Sequence, residues 1–411
     1  KSINYLTLSA NHNDSNAQFL LGGIYYLGQH VSHDINKSIH YLTLSANQNN
    51  SNAQFLLGKI YYLGEYISRD INKSIHYLTL SAIQNNSYAQ YYLGEIYYYG
   101  KYISRDINKS IHYLTLSANQ NHSIAQLYLG EIYYSGKYIS RDINKSIYYL
   151  TLSANQNNSD AQCLLGKIYY SGEYISRDIN KSINYLTLSA NHNDSNAQYY
   201  LGKIYYLGEY ILRDINKSIH YLTLSANQNI SNAQYYLGEI YYSGKYISRD
   251  INKSIHYLTF SANQNNSDAQ CLLGEIYYSG EYISRDINKS INYLTLSANH
   301  NDSNAQFLLG GIYYLGQHVS HDINKSIHYL TLSANQNNSN AQFLLGKIYY
   351  LGEYISRDIN KSIHYLTLSA IQNNSYAQYY LGEIYYYGKY ISRDINKSIH
   401  YLTLSANQNH S

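Results

Sequence analysis

The chain has no proline, no methionine and no tryptophan, and only two cysteines in 411 residues. Average usage would supply roughly 20 prolines in this length, so the skew points to one short unit copied many times. With no methionine at position 1 or anywhere else, the chain is expected to be a fragment or a processed piece. The lack of a signal peptide therefore carries no information. Charge is scarce too: 13% of residues are charged, about half the usual share of roughly 25%. The 29 Lys and Arg nearly balance 26 Asp and Glu, and a net charge of +3 leaves no strong field toward DNA, RNA or acidic lipid. No apolar run approaches the ~18 residues of a membrane span, so membrane insertion is not expected. Apolar residues reach 45%, which excludes charge-driven disorder.

The two cysteines, Cys163 and Cys271, lie 108 residues apart, each in the context AQCLLG. That distance is three times 36. Units stacked roughly 10 Å apart would hold the two thiols about 30 Å from each other, far beyond the roughly 7 Å between Cα atoms that a disulfide tolerates. No disulfide framework is expected, and the compartment stays open between cytoplasm, endoplasmic reticulum lumen and exterior.

What the chain does have is tyrosine, 57 residues of it, and a strict period. Ala-Gln recurs from Ala17 and Ala53 to Ala341 and Ala377 in steps of 36, without insertion or deletion. Residues 1–123 recur unchanged at 289–411, an offset of eight units. Lys1 matches Lys37 and Ser411 matches Ser123, so both ends fall inside a unit and the array is expected to continue. Residues 1–411 are read as one continuous array of about eleven units.

Each unit reads as two helices. In the copy AQFLLGKIYYLGEYISRDINKSIHYLTLSAIQNNSY, Ser51 to Gln54 forms a capping-box pattern that places Ser51 as the cap of the first helix. Ala53, Leu56, Leu57, Ile60, Tyr61 and Gly64 follow at helical spacing, and Gly64 is suited to a left-handed end. Glu65 to Arg69 is a connecting turn, and Asp70 caps a second helix carrying Ile71, Ser74, Ile75, Leu78, Ser81 and Ala82 on one face. Asn85 and Asn86 are expected to close it. Helices of about 13 residues are marginal alone. The small residues Gly58, Ser74, Ser81 and Ala82 would let hairpins approach and bury a shared core. The fold class is all-α, a right-handed α-solenoid of stacked helix-turn-helix repeats with a 36-residue period.

The motif AxxxLGxxYxxG, followed by Asp70, Lys73-Ser74, Tyr77 and Ser81-Ala82, resembles the Sel-one-like repeat family, relatives of tetratricopeptide repeats. Departures are the lost second glycine of the turn, at Tyr66; serine in place of the proline common before the first helix, at Ser87; and Leu80 where the family has lysine. The resemblance implies a non-catalytic scaffold or adaptor that binds other proteins or peptides. The alternative is an accessory repeat region of a larger signalling enzyme, such as a protein kinase, with its catalytic domain outside this chain.

In that family the first helix lines the concave side. Positions 55, 59 and 62 lie opposite the apolar stripe of that helix, and position 62 is always Tyr. A tyrosine ladder with varied neighbours suits protein binding, because Tyr offers area and a hydroxyl at low entropy cost. The candidate binding residues are Phe55, Lys59 and Tyr62; Tyr91, Glu95 and Tyr98; Leu127, Glu131 and Tyr134; Tyr199, Lys203 and Tyr206; and Tyr235, Glu239 and Tyr242. A solvated face made tyrosine-rich by copying is the bland reading. The outward Leu80 and its copy Phe260 are either covered by a neighbouring helix or mark a second contact, such as self-association. Positions 59 and 65 carry opposite charges in eight of eleven units, as in Lys59/Glu65 and Glu95/Lys101, which suggests proximity.

No catalytic set is recognised, and no cofactor or metal is expected. His30 and His33, repeated at His318 and His321, have a metal-compatible spacing but no recurring third ligand. His40 and His76 read as solvated, and Cys163 and Cys271 as structural or surface thiols without a fixed base nearby. Arg69 and Lys73 recur, but with Asp70 between them they read as a mixed-charge rim and not a nucleic-acid stripe. The triplets at Asn72 and Asn85-Asn86-Ser87 match the glycan acceptor pattern, as chance allows in an Asn- and Ser-rich chain.

Overall fold

A computed structural model of the chain describes residues 2–28, 31–317 and 319–408. Among these are 23 helices and no strand. The chain divides into two compact units, Lys1–Leu201 and Gly202–Ser411. The first opens with Ser2–Asn11 and continues through paired helices such as Ser51–Leu63 with Ile71–Ile83 and Ser87–Tyr99 with Ile107–Asn119. The second contains pairs such as Ser231–Ser243 with Ile251–Asn263 and Ser375–Tyr387 with Ile395–Gln408. Within each unit the helix pairs stack as an α-solenoid, as the period predicts.

The core sits between hairpins. Leu78 and Ala82 of one second helix close on Ala89, Leu93 and Ile96 of the next first helix, and Phe55 and Tyr62 from the preceding first helix seal the cluster. Each leucine hidden this way contributes about 1.5–3 kcal/mol. The gain exists only when the next hairpin is present, which is why helices of 13 residues hold in the stack. Inside a hairpin the approach is closer still. A Cβ built on Gly58 would lie 2.6 Å from Leu78 Cγ, so only glycine fits. At the same place in the preceding repeat, Ser38 Oγ donates to the carbonyl of Gly22 at 2.8 Å, which satisfies a buried hydroxyl.

Two caps differ from the sequence reading. Asn50, not Ser51, caps the first helix, its side chain accepting from the Ala53 N–H at 3.1 Å. Ser51 is the first helical residue, and its carbonyl accepts from Ser81 Oγ at 2.8 Å. Gln54 does not reach back to the helix start. It is 1% exposed and donates to the Ala46 carbonyl at 3.1 Å, while accepting from Gln84 Nε2 at 2.7 Å. At the other end only Asn85 closes the second helix, in the left-handed conformation at φ 64°; Asn86 caps the following helix. The chain reverses so tightly between helices that one asparagine ends a helix and the next begins another. Gly64 (φ 65°) and Asp70, which accepts from the Lys73 N–H at 3.0 Å, behave as expected.

Candidate functional site

The predicted face is less open than its spacing implied. Phe55, Tyr62, Tyr91 and Tyr98 are partly buried, each against the core formed by the following repeat. Tyr134 packs in the same way, and so do Tyr235 and Tyr242. Tyr62 meets Tyr92 edge-on at 5.9 Å, and Tyr206 meets Tyr236 at 5.7 Å. Burial and then the neighbouring Glu95 push the Tyr62 phenol up to about 12; Tyr206 behaves alike beside Glu239. Leu127 must be withdrawn from the surface. It is 7% exposed and belongs to the core with Leu150 and Leu165. The stripe opposite the core of its own hairpin is the seam with the next, so positions 55 and 62 are sealing residues that present edges to solvent. Position 59 remains at the surface: Lys59, Glu95, Lys203 and Glu239 are half-buried and Glu131 is exposed. Tyr199 is half-buried beside Tyr200, with ring centroids 5.1 Å apart.

The opposite charges at positions 59 and 65 form no ion pair among the described residues; the pairs present join Lys73-type to Asp70-type residues, at 3.6 Å for that pair. Glu131 and Lys137 instead both act on Tyr98 of the preceding repeat. The recurrent arginine, read from sequence as part of a charged rim, has a definite structural task. Arg69 Nε donates to the Tyr62 carbonyl at 2.6 Å and Nη2 to the Leu63 carbonyl at 2.9 Å, closing the first helix. Its guanidinium also donates to the Tyr102 hydroxyl and stacks 4.4 Å from that ring in the next repeat. Tyr66-type residues, standing where the family pattern has glycine, thus receive the preceding arginine. Where histidine replaces arginine a ring contact persists, tilted and not parallel: His33 lies 4.1 Å from Tyr66 and His321 4.0 Å from Tyr354. The histidines at metal-compatible spacing from them, His30 and His318, lie outside the described residues. Both cysteines are free and buried, and burial pushes the Cys163 thiol up to about 12, against nucleophilic use. His40 and His76 are exposed. The outward leucine row stays half-open: Leu116 is 36% and Phe260 49% exposed, so neighbouring helices cover it only in part.

One stretch of the first-helix face opens into a cavity. In the second unit a space of about 340 Å³ is lined by Tyr235, Glu239 and Tyr242 together with Asp268, Cys271, Glu275 and Asp302. Three of these are predicted site residues. The acids at 268, 275 and 302 went unnoticed in the sequence. Asp268 and Glu275 lie seven residues apart on one face of the helix Ser267–Ser279, a spacing present in the sequence, whereas Asp302 caps Ser303–Leu315 and joins them, and Glu239 of the preceding repeat, only through stacking. The carboxyls of Glu239, Asp268 and Glu275 are raised above their ordinary range, first by desolvation and then by the charge of Asp268 or Asp302 beside them. Cys271 Sγ is 3.9 Å from Glu275 Oε1. No lysine or arginine lines the space. The corresponding place around Cys163 differs: Lys167 stands where the other copy has Glu275, with its ammonium over the Tyr200 ring at 5.2 Å.

Comparison with known proteins agrees with this architecture. The Sel1 repeat model matches eleven successive segments, from 15–50 through 375–410. The chain is similar in structure to c5321, a protective antigen present in uropathogenic Escherichia coli strains that displays an SLR fold. The match has 27% identity and a TM-score of 0.85, and covers 99% of this chain and 90% of that one. It is also similar to a Sel1 repeat protein from Oxalobacter formigenes, with 28% identity, a TM-score of 0.62, and 75% and 90% coverage. No curated protein is significantly similar in sequence. Solenoids of this repeat class serve in general as protein-interaction scaffolds and not as enzymes. With its repeats matched one after another along the chain, the protein belongs to the Sel1 repeat family.

Proposed function

We propose that this chain is a non-catalytic scaffold that holds segments of partner proteins against its first-helix face. The observation that supports the reading is the tyrosine-walled, acid-lined cavity at Tyr235, Glu239 and Tyr242, which opens on the face where the sequence placed binding residues. The tyrosine edges supply contact area at little entropic cost. The uncompensated carboxylates favour a segment that brings lysine or arginine. Such a scaffold can equally be the accessory region of a larger enzyme, and the full gene sequence distinguishes the two.

The test is selection of a random peptide library on the intact chain. Enriched peptides are expected to carry basic residues, and the double variant Glu239→Gln/Asp268→Asn should weaken them by at least about tenfold while circular dichroism stays helical. Peptides that bind the variant as tightly as the parent would remove this face from consideration.

A further inference from the structure

Most of the first helices are capped by Asn or Asp, as at Asn50, Asn86, Asn158 and Asp302. The helix Ser123–Ser135 is capped by histidine. His122 Nδ1 accepts the Ala125 N–H at 3.2 Å, so the ring proton sits on Nε2. An imidazole can do this only while neutral; once protonated it has no lone pair to offer. An added positive charge there would also face the positive end of the helix.

The ring is held in place by the preceding repeat. It stacks on Tyr91 at 5.0 Å with 20° between planes, and meets Tyr88 edge-on at 5.0 Å. The titratable groups facing it are thus two phenols from the helix Ser87–Tyr99. Glu95, one turn further along that helix, is engaged by Tyr91. On the other side Ser123 accepts from Asn158 Nδ2 at 3.3 Å, a neutral contact. Tyr91 would attract an imidazolium through its ring face, but burial acts the other way and holds His122 below its usual range.

We propose that His122 makes the joint between repeats 87–122 and 123–158 acid-sensitive, with the cap present at neutral pH and released on protonation. The loosening is local. Ser231–Ser243 starts at Ile230 with no side-chain cap and is still a helix. Because the unfolded imidazole binds its proton first, the joint is at full strength above the ordinary histidine range and weakens as pH falls through it.

Hydrogen exchange on the full chain, followed by mass spectrometry and corrected for intrinsic pH dependence, tests this. Between pH 7.5 and 5.0 the peptide containing Ala125 should exchange roughly fivefold faster, the equivalent of one lost cap. The peptide containing Ala161, capped by Asn158, should not change, and His122→Asn should abolish the difference. Equal behaviour of the two peptides at both pH values, or a pH effect that survives His122→Asn, overturns the proposal.

Discussion

Helices Ser87–Tyr99 and Ile107–Asn119 have the same sequence as Ser375–Tyr387 and the first 13 residues of Ile395–Gln408, yet they are different objects. The first pair is followed within its unit by Ser123–Ser135, which packs against it. The second is not followed by another helix among the described residues. Ile111 is partly buried in a core cluster, whereas Ile399 is 59% exposed. Leu114 is fully buried, and Leu402 is not. Tyr91 has its phenol raised chiefly by burial. Tyr379 is 45% exposed and is raised chiefly by its 2.8 Å hydrogen bond to Glu383. Identical residues acquire different environments because the core lies between hairpins, so burial is conferred by a neighbour.

The largest expected effect separates these two copies directly. Leu114→Ala should cost about 2–5 kcal/mol of local stability, the usual range for a buried leucine. In the 411-residue chain, Leu402→Ala should cost about 1 kcal/mol, since part of its surface meets water there. Local unfolding free energies from hydrogen exchange measure both, and equal losses would mean that the two cores are equivalent after all.

Contacts inside a hairpin should ignore the neighbour. A Cβ on Gly22 or on its copy Gly310 would lie 2.5 Å from a leucine Cγ, so Gly22→Ala and Gly310→Ala should each cost about 1–3 kcal/mol. Gly311, one residue on, has nothing within 4 Å of the same atom. Gly311→Ala should therefore stabilise its helix by about 0.5–1 kcal/mol. Urea titration of the three variants checks the contrast.

A smaller effect appears at alkaline pH. Tyr62 and Tyr206 hold their protons to about 12 in the fold, against about 10 for an unfolded tyrosine. The folded chain binds more protons between those values, so stability present below pH 10 declines as pH rises toward 12. Phenolate absorbance and circular dichroism, recorded together, should show late ionisation that accompanies loss of helix. Ionisation complete near pH 10 with the helices intact would place these rings in water.

Much of the fold was legible in the sequence. A strict period, a glycine that ends one helix and an aspartate that starts the next are local signals, since each depends on the conformation of a few adjacent residues. The caps at Asn50 and Asn86 were missed because Ser, Asn and Gln are all competent there, and the choice depends on where the reversal at Asn49 or Asn85 leaves the chain. Gln54 was misread for a related reason. A polar side chain beside an alanine looks like a cap, and nothing local says that the carbonyl of Ala46 needs a buried donor.

The candidate face was legible only in outline. That position 62 is always tyrosine could be read directly, but that its ring seals the next repeat could not, nor that Leu127 disappears into the core. Asp268 and Glu275 share a face of one helix, but Glu239 from the helix before and Asp302 at the start of the helix after join them in one cavity only because successive first helices pack side by side. Sequence alone therefore determined the period, the helices, their glycine and aspartate ends, and the family. Tertiary structure decided which tyrosines are covered, what Arg69 and Gln54 bind, and where a cavity opens, because each of those depends on a surface that belongs to the adjacent repeat.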